Sequence, residues 1–93
     1  MVTFSTPSPF IRHDNHTPTG SFVARTLSPN GADYILIRNT DGTSSAQISF
    51  DGTNGFTIRA GEAVAFELNN LRTYYTKAVS GSPALEVLTG SDN

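Results

Sequence analysis

Between Ile48 and Leu68 the chain reads ISFDGTNGFTIRAGEAVAFEL, three short alternating runs parted by two turn signals. Within each run the large apolar residues recur two apart: Ile48 and Phe50, Phe56 and Ile58, then Val64, Phe66 and Leu68. A period of two places them on one face of a pleated strand. Asp51-Gly52-Thr53-Asn54-Gly55 and Ala60-Gly61-Glu62 supply the glycines that sharp reversals need. The stretch predicts a β-meander that forms half of a hydrophobic core.

The flanks extend the pattern. Predicted strands cover residues 22–26, 32–39, 45–50, 56–59, 63–68, 72–79 and 84–89, with turns at 28–31, 40–43, 69–71 and 80–83. Tyr34 and Leu36 lie on one face of the 32–39 run and Ile35 and Ile37 on the other. Both faces being apolar, that strand is expected to be central or to face a partner subunit. Thr89 to Asn93 reads as a polar tail. Seven short strands at this spacing, with no convincing helical stretch, predict an all-β fold: a small antiparallel β-sandwich or barrel over residues 21–93.

Residues 1–20, MVTFSTPSPFIRHDNHTPTG, differ in composition and hold three of the five prolines. Proline fixes φ, removes a donor and biases its predecessor toward extended backbone. The segment is therefore expected to be an extended N-terminal arm carrying the apolar residues Val2, Phe4, Phe10 and Ile11. Twenty extended residues reach roughly 65 Å, so a neighbouring subunit is the expected seat, ahead of the chain's own sheet.

Composition excludes several functions. The 93 residues carry a net charge of −2, and the six cations are scattered singly, which argues against a nucleic-acid surface. No apolar run is long enough to span a bilayer as a helix, and no signal peptide is expected. The absence of cysteine removes disulfides and thiolate metal sites and suggests a reducing cytosol, with oligomerisation supplementing a small core.

Catalytic and metal motifs are similarly sparse. His13 and His16 are the only histidines; on an arm, and short of a third rigid ligand, they read as polar linker rather than metal site. Residues 51–55 lack the carboxylate spacing of a calcium loop and read as a hairpin turn. No Gly-x-Ser-x-Gly elbow is present, and Glu62, Glu67 and Glu86 fall on different predicted strands. No enzyme activity, catalytic residue or cofactor is expected. Tyr34, Tyr74 and Tyr75 sit inside apolar runs and are expected to pack across strands.

Three segments carry a family resemblance: Ile35-Leu36-Ile37-Arg38-Asn39-Thr40, Ala46-Gln47-Ile48-Ser49-Phe50-Asp51-Gly52 and Phe56-Thr57-Ile58-Arg59-Ala60-Gly61-Glu62. With Tyr74–Ala78, Ser80–Ser82 and Leu85–Leu88 they span about residues 34 to 89, and the pattern resembles small virion accessory proteins of tailed bacteriophages. The resemblance implies a capsid decoration, or cement, protein that binds the outer surface of the phage head between capsomers. Its partners would be the major capsid protein and itself, as a dimer or trimer, with no nucleic acid and no membrane. It would be made in the bacterial host cytoplasm and located on the virion. Phe4, Phe10 and Ile11 would anchor to the lattice and Arg12 would pair with capsid carboxylates. The alternatives are a tail or neck component, or a virion-surface carbohydrate-binding module using Tyr74 or Tyr75.

Overall fold

The computed structural model describes residues 11–27 and 31–91. Phe4 and Phe10 lie outside the described residues, as does most of the turn expected at 28–31. Among the described residues there are eight strands: β1 (Arg12–His13), β2 (Val23–Thr26), β3 (Ala32–Asn39), β4 (Ala46–Ser49), β5 (Gly55–Ile58), β6 (Ala63–Leu71), β7 (Thr73–Ala78) and β8 (Leu85–Gly90). The fold is all-β, an antiparallel sandwich of two four-stranded sheets in the orders β1-β8-β3-β6 and β2-β7-β4-β5.

The seven runs expected from periodicity correspond to β2 through β8. The meander does not. Among the described residues only β4 and β5 form a hairpin between consecutive strands, with Ala46 opposite Ile58 and Ser49 opposite Gly55. At the next corner, with Gly61 at φ +78°, the chain crosses to the other sheet and β6 pairs with β3 instead. Asn39 N donates to Glu62 O and Gly61 N donates to Asn39 O, which ties this corner to the end of β3. One continuous meander would leave its apolar face uncovered; crossing lets each sheet cover the other.

Asp51 makes the β4–β5 turn. Its Oδ1 accepts from Thr53 N and Asn54 N at 2.8 Å each, its Oδ2 from Asn54 Nδ2, and Ser49 Oγ donates to Oδ1. These donors, Asn54 first, hold its carboxyl well below the usual carboxylate range. The carboxylate is occupied by its own loop, as a turn requires.

The core lies between the sheets. Ile35 and Ile37 from β3 and Leu85 and Val87 from β8 face Ala46, Ile48, Ile58 and Tyr74 from the other sheet, all buried. Fully burying one such large side chain contributes about 1.5–3 kcal/mol. Val64, Phe66 and Leu68 of the edge strand β6 pack against this cluster and remain half-buried. Along that edge Phe66 meets Phe50 and Phe56 edge-to-face, with ring centres 5.2 and 5.6 Å apart. This aromatic trio lines one side of the sandwich, with Phe50 and Phe56 still exposed.

Two sequence expectations change here. The segment after Thr89 is not a polar tail as far as Ser91, since Thr89, Gly90 and Ser91 are buried and β8 runs to Gly90. Tyr34 on β3 lies opposite Gly90, and its ring fills the space a side chain there would need. The second change concerns the arm. Residues 12–16 lie on β8 of the same chain, not on a neighbouring subunit: Arg12 opposes Thr89, His13 opposes Leu88, and His16 exchanges both backbone hydrogen bonds with Leu85. The physical reason is local. No proline falls between Phe10 and Thr17, so the backbone keeps every donor a ladder needs.

Candidate functional site

Pairing with β8 imposes a two-residue alternation on the arm. Arg12, Asp14 and His16 line the face toward the second sheet, in register with Thr89, Val87 and Leu85, while His13 and Asn15 take the opposite face. Across the seam stand Arg25 on β2 and Tyr74 and Thr76 on β7. The β2–β7 register sets Arg25 opposite Tyr74, so both present to the same side.

Asp14 is the centre of the arrangement. Arg25 donates through Nε to Oδ2 and through Nη2 to Oδ1, the latter at 2.7 Å, and the Tyr74 hydroxyl also donates to Oδ2. A bidentate guanidinium–carboxylate pair is among the strongest side-chain hydrogen-bond geometries. Two residues on, His16 Nδ1 contacts the main-chain oxygen of Asp14 at 2.8 Å and Nε2 contacts Thr76 Oγ1 at 2.8 Å. A carbonyl only accepts, so Nδ1 carries the proton; in the neutral ring Nε2 then accepts from the threonine hydroxyl. The arm is thus bound to one sheet by its backbone and to the other by its side chains.

These contacts shift the titrating groups. The Arg25 guanidinium, helped by Tyr74, lowers the Asp14 carboxyl against the opposing effect of burial. Burial pushes His16 below the ordinary histidine value, and the Arg25 charge adds to that. Burial, then the Asp14 carboxylate, raises the Tyr74 phenol far above its usual value. At neutral pH the cluster is therefore a carboxylate, a guanidinium, a neutral imidazole and a neutral phenol.

Beside the clasp the seam opens into a groove of about 500 Å³, whose walls include Arg12, Asp14, Arg25, Thr26, Leu27 and Thr89. A second hollow, about 450 Å³, lies on the outer face of the β8–β3–β6 sheet over Leu36 and Leu88, beside the exposed Arg38–Glu86 ion pair. The first is the candidate site, because there charged groups are fixed by a hydrogen-bonded frame; exposed ion pairs such as the second contribute little.

Ile11 is exposed and precedes β1, whereas Arg12 lines the groove. Tyr74 is fully buried and cannot be a stacking platform for a sugar; Tyr75 is half-buried, packed over Gly52. The composition of the clasp was missed. Its signal was the Arg12, Asp14, His16 alternation, whose period of two is the same strand signature used elsewhere in the chain.

No protein-family model and no curated protein matches the sequence. Solved structures do match the fold. The cupin-2 domain of an XRE family transcriptional regulator from Enterobacter cloacae superposes with a TM-score of 0.62 at 17% identity, over 90% of this chain and 84% of that one. A cupin-2 domain protein from Shewanella frigidimarina gives 0.56 at 16%, over 92% and 76%. The fold is similar to that of these cupin-2 domains. A third structure, FeII HppE, matches with a TM-score of 0.57 at 11% identity, over 87% of this chain and 44% of that one. At these identities the likeness is one of fold.

The cupin likeness overturns the bacteriophage resemblance, and with it the capsid decoration role, the major capsid protein as partner and the location on the virion. The tail or neck and carbohydrate-binding alternatives fall with them. The residues that carried the resemblance have local duties that an antiparallel sandwich of another family shares. Asp51-Gly52 closes a hairpin, Gly61-Glu62 turns a corner, and Asn39 binds the loop after β3.

The iron(II) in the name of one neighbour makes a metal centre the natural test of the site. The residues do not fit it. The chain has two histidines and no cysteine, and the two histidines lie on opposite faces of the arm. His16 uses both ring nitrogens within the clasp, and Asp14 is held by Arg25 and Tyr74. Among the described residues no three His, Cys, Asp or Glu side chains come together, and the space between the sheets is filled by Ile35, Ile37, Ile48, Ile58 and Val87.

Proposed function

We propose that this chain is a cupin-fold binding domain without catalytic activity, with the groove at the β1–β2 seam as its ligand site. The observation that carries the reading is the commitment of Asp14, His16, Arg25 and Tyr74 to one another beside an open groove. A catalytic acid, base or nucleophile has to reach a substrate atom with a suitable pKa. Here the imidazole has both nitrogens bonded and the phenol is raised far out of range. The groove volume, about 500 Å³, falls within that of small-molecule sites. The name of the Enterobacter neighbour, a domain of a transcriptional regulator, agrees with a domain whose output is occupancy rather than turnover.

A ligand screen by thermal shift, followed by chemical-shift mapping on labelled protein, tests this. The expected result is a small molecule that raises the melting temperature, perturbs Arg12, Arg25, Thr26 and Thr89, and is recovered unchanged. Turnover of a bound compound, or a best ligand that maps away from the seam, contradicts it.

A further inference from the structure

We propose that the open edge of β6 takes an extended segment of a partner protein in which aliphatic and basic residues alternate. This surface lies across the sandwich from the seam groove and is independent of what that groove binds.

The first ground is the main chain. β6 is the longest described strand and an edge of its sheet, paired on one side only, with β3. That ladder is regular from Ala63 to Glu67, and its one irregularity lies between the Glu67 and Leu71 pairs. In an antiparallel pair, every second residue of an edge strand turns its N–H and C=O away from its single neighbour. Among the described residues, no main-chain bond beyond that ladder is made between Ala63 and Leu68. Such an edge recruits another strand unless it is short, covered, or carries lysine or proline. The other edge of the same sheet, β1, is two residues long. β6 is nine residues long and holds no lysine, arginine or proline.

The second ground is what the two faces of that edge present. Inward, Val64, Phe66 and Leu68 are half-buried. Phe66 is in edge-to-face contact with Phe50 and Phe56, which remain 38% and 51% exposed. Aliphatic side chains from an added strand would cover these rings. Outward, Ala63, Ala65 and Glu67 are exposed. Glu67 has no ion-pair or hydrogen-bond partner among the described residues. Residues 62–71 include the acids Glu62 and Glu67 and no base. A second copy docked by this edge would bring the same acids and no cation, whereas a lysine or arginine opposite Glu67 answers its charge. Side chains along a strand alternate between faces, so a single period-two pattern, aliphatic inward and basic outward, meets both requirements.

The test is a titration of the labelled chain with a short synthetic peptide that alternates valine and lysine, its ends blocked. Three control peptides accompany it: one of the same composition with its valines and lysines in separate blocks, one alternating valine and glutamate, and the first peptide N-methylated at every second residue. The expected result is saturable shifts at residues 63–68 and at Phe56, with slowed exchange at every second amide of β6. Each control should bind at least tenfold more weakly. Glu67→Gln should weaken binding several-fold and Phe56→Ser at least tenfold; Glu67 is exposed, so its variant serves if Phe56→Ser fails to fold. Shifts that stay linear with concentration, or that map away from β6, overturn the proposal. Affinity that survives N-methylation is charge attraction without strand addition and also overturns it. A chain that associates with itself through residues 63–68 and ignores the peptide assigns the edge to a second copy, which contradicts the occupant proposed.

Discussion

Arg25 on β2 grips both carboxylate oxygens of Asp14, which follows β1, where the two sheets share no backbone ladder. Eleven positions separate the two residues in sequence. Tyr74, sixty positions from Asp14, adds its hydroxyl to the same carboxylate. Three side chains from three segments thereby close one side of the sandwich with polar bonds. The opposite side is lined by Phe50, Phe56 and Phe66.

Removing the carboxylate should open that side. Asp14→Ala leaves the buried Tyr74 hydroxyl and the Arg25 guanidinium without their acceptor and should cost about 2 kcal/mol, a discounted figure because Asp14 and Arg25 are about 30% exposed. Tyr74→Phe, which keeps the ring, should cost about 1 kcal/mol. Urea denaturation of the two single variants and the double variant should show coupling, with the pair costing less than the two summed.

The clasp should weaken in acid. The folded value of His16 lies below its unfolded value of about 6.5, so between the two the unfolded chain binds a proton that the folded chain does not. Stability therefore falls as pH drops below about 6.5. Asp14, also lowered, contributes stability that is present above its ordinary value of 3.8 and lost as pH falls through its folded value. Urea midpoints at pH 7.5 and 5.5 should differ in the wild type, and His16→Gln should remove most of that difference.

The strands were legible in the sequence because period-two alternation survives in each of them: Ile35 and Ile37, Ile48, Ile58, Tyr74 and Thr76, Leu85 and Val87 face inward as spaced. Strand partners were not legible. Periodicity states which face of β6 is apolar, through Val64, Phe66 and Leu68, but not whether β6 pairs with β5 or crosses to β3. The clasp was hidden for a related reason, since its partners are far apart in sequence and its arm was judged by flanking prolines rather than by the free backbone between them. The bacteriophage resemblance failed because it was built from turn punctuation, which reports hairpins and corners whatever the family.

Asn39, at the end of β3, is fully buried. Its amide donates to Ser44 O at 2.7 Å and Ile58 O at 3.3 Å, and its oxygen accepts from Asp41 N at 3.1 Å. Asn39→Ala should cost about 1–3 kcal/mol. Asn39→Asp should cost at least as much in spite of equal size, because a carboxylate has no donor for the two carbonyls. Denaturant midpoints of the two variants check the order.

Gly90 and Tyr34 should behave as a pair. A methyl group at Gly90 would collide with the Tyr34 ring, so Gly90→Ala should lower the melting temperature, and adding Tyr34→Ala should make the glycine replacement nearly neutral in that background. Thermal unfolding of the single and double variants measures this, and an equal loss in both backgrounds would mean that the ring does not occupy that space.

The most direct measurement is the metal content of the purified 93-residue chain, taken by elemental analysis after exposure to iron(II), manganese and zinc and removal of excess. A donor set in which His16 and Asp14 are already committed predicts far less than one ion per chain and no change in melting temperature. A stoichiometric ion that is lost in His16→Ala would contradict the account of a binding domain built around the Asp14–Arg25 clasp.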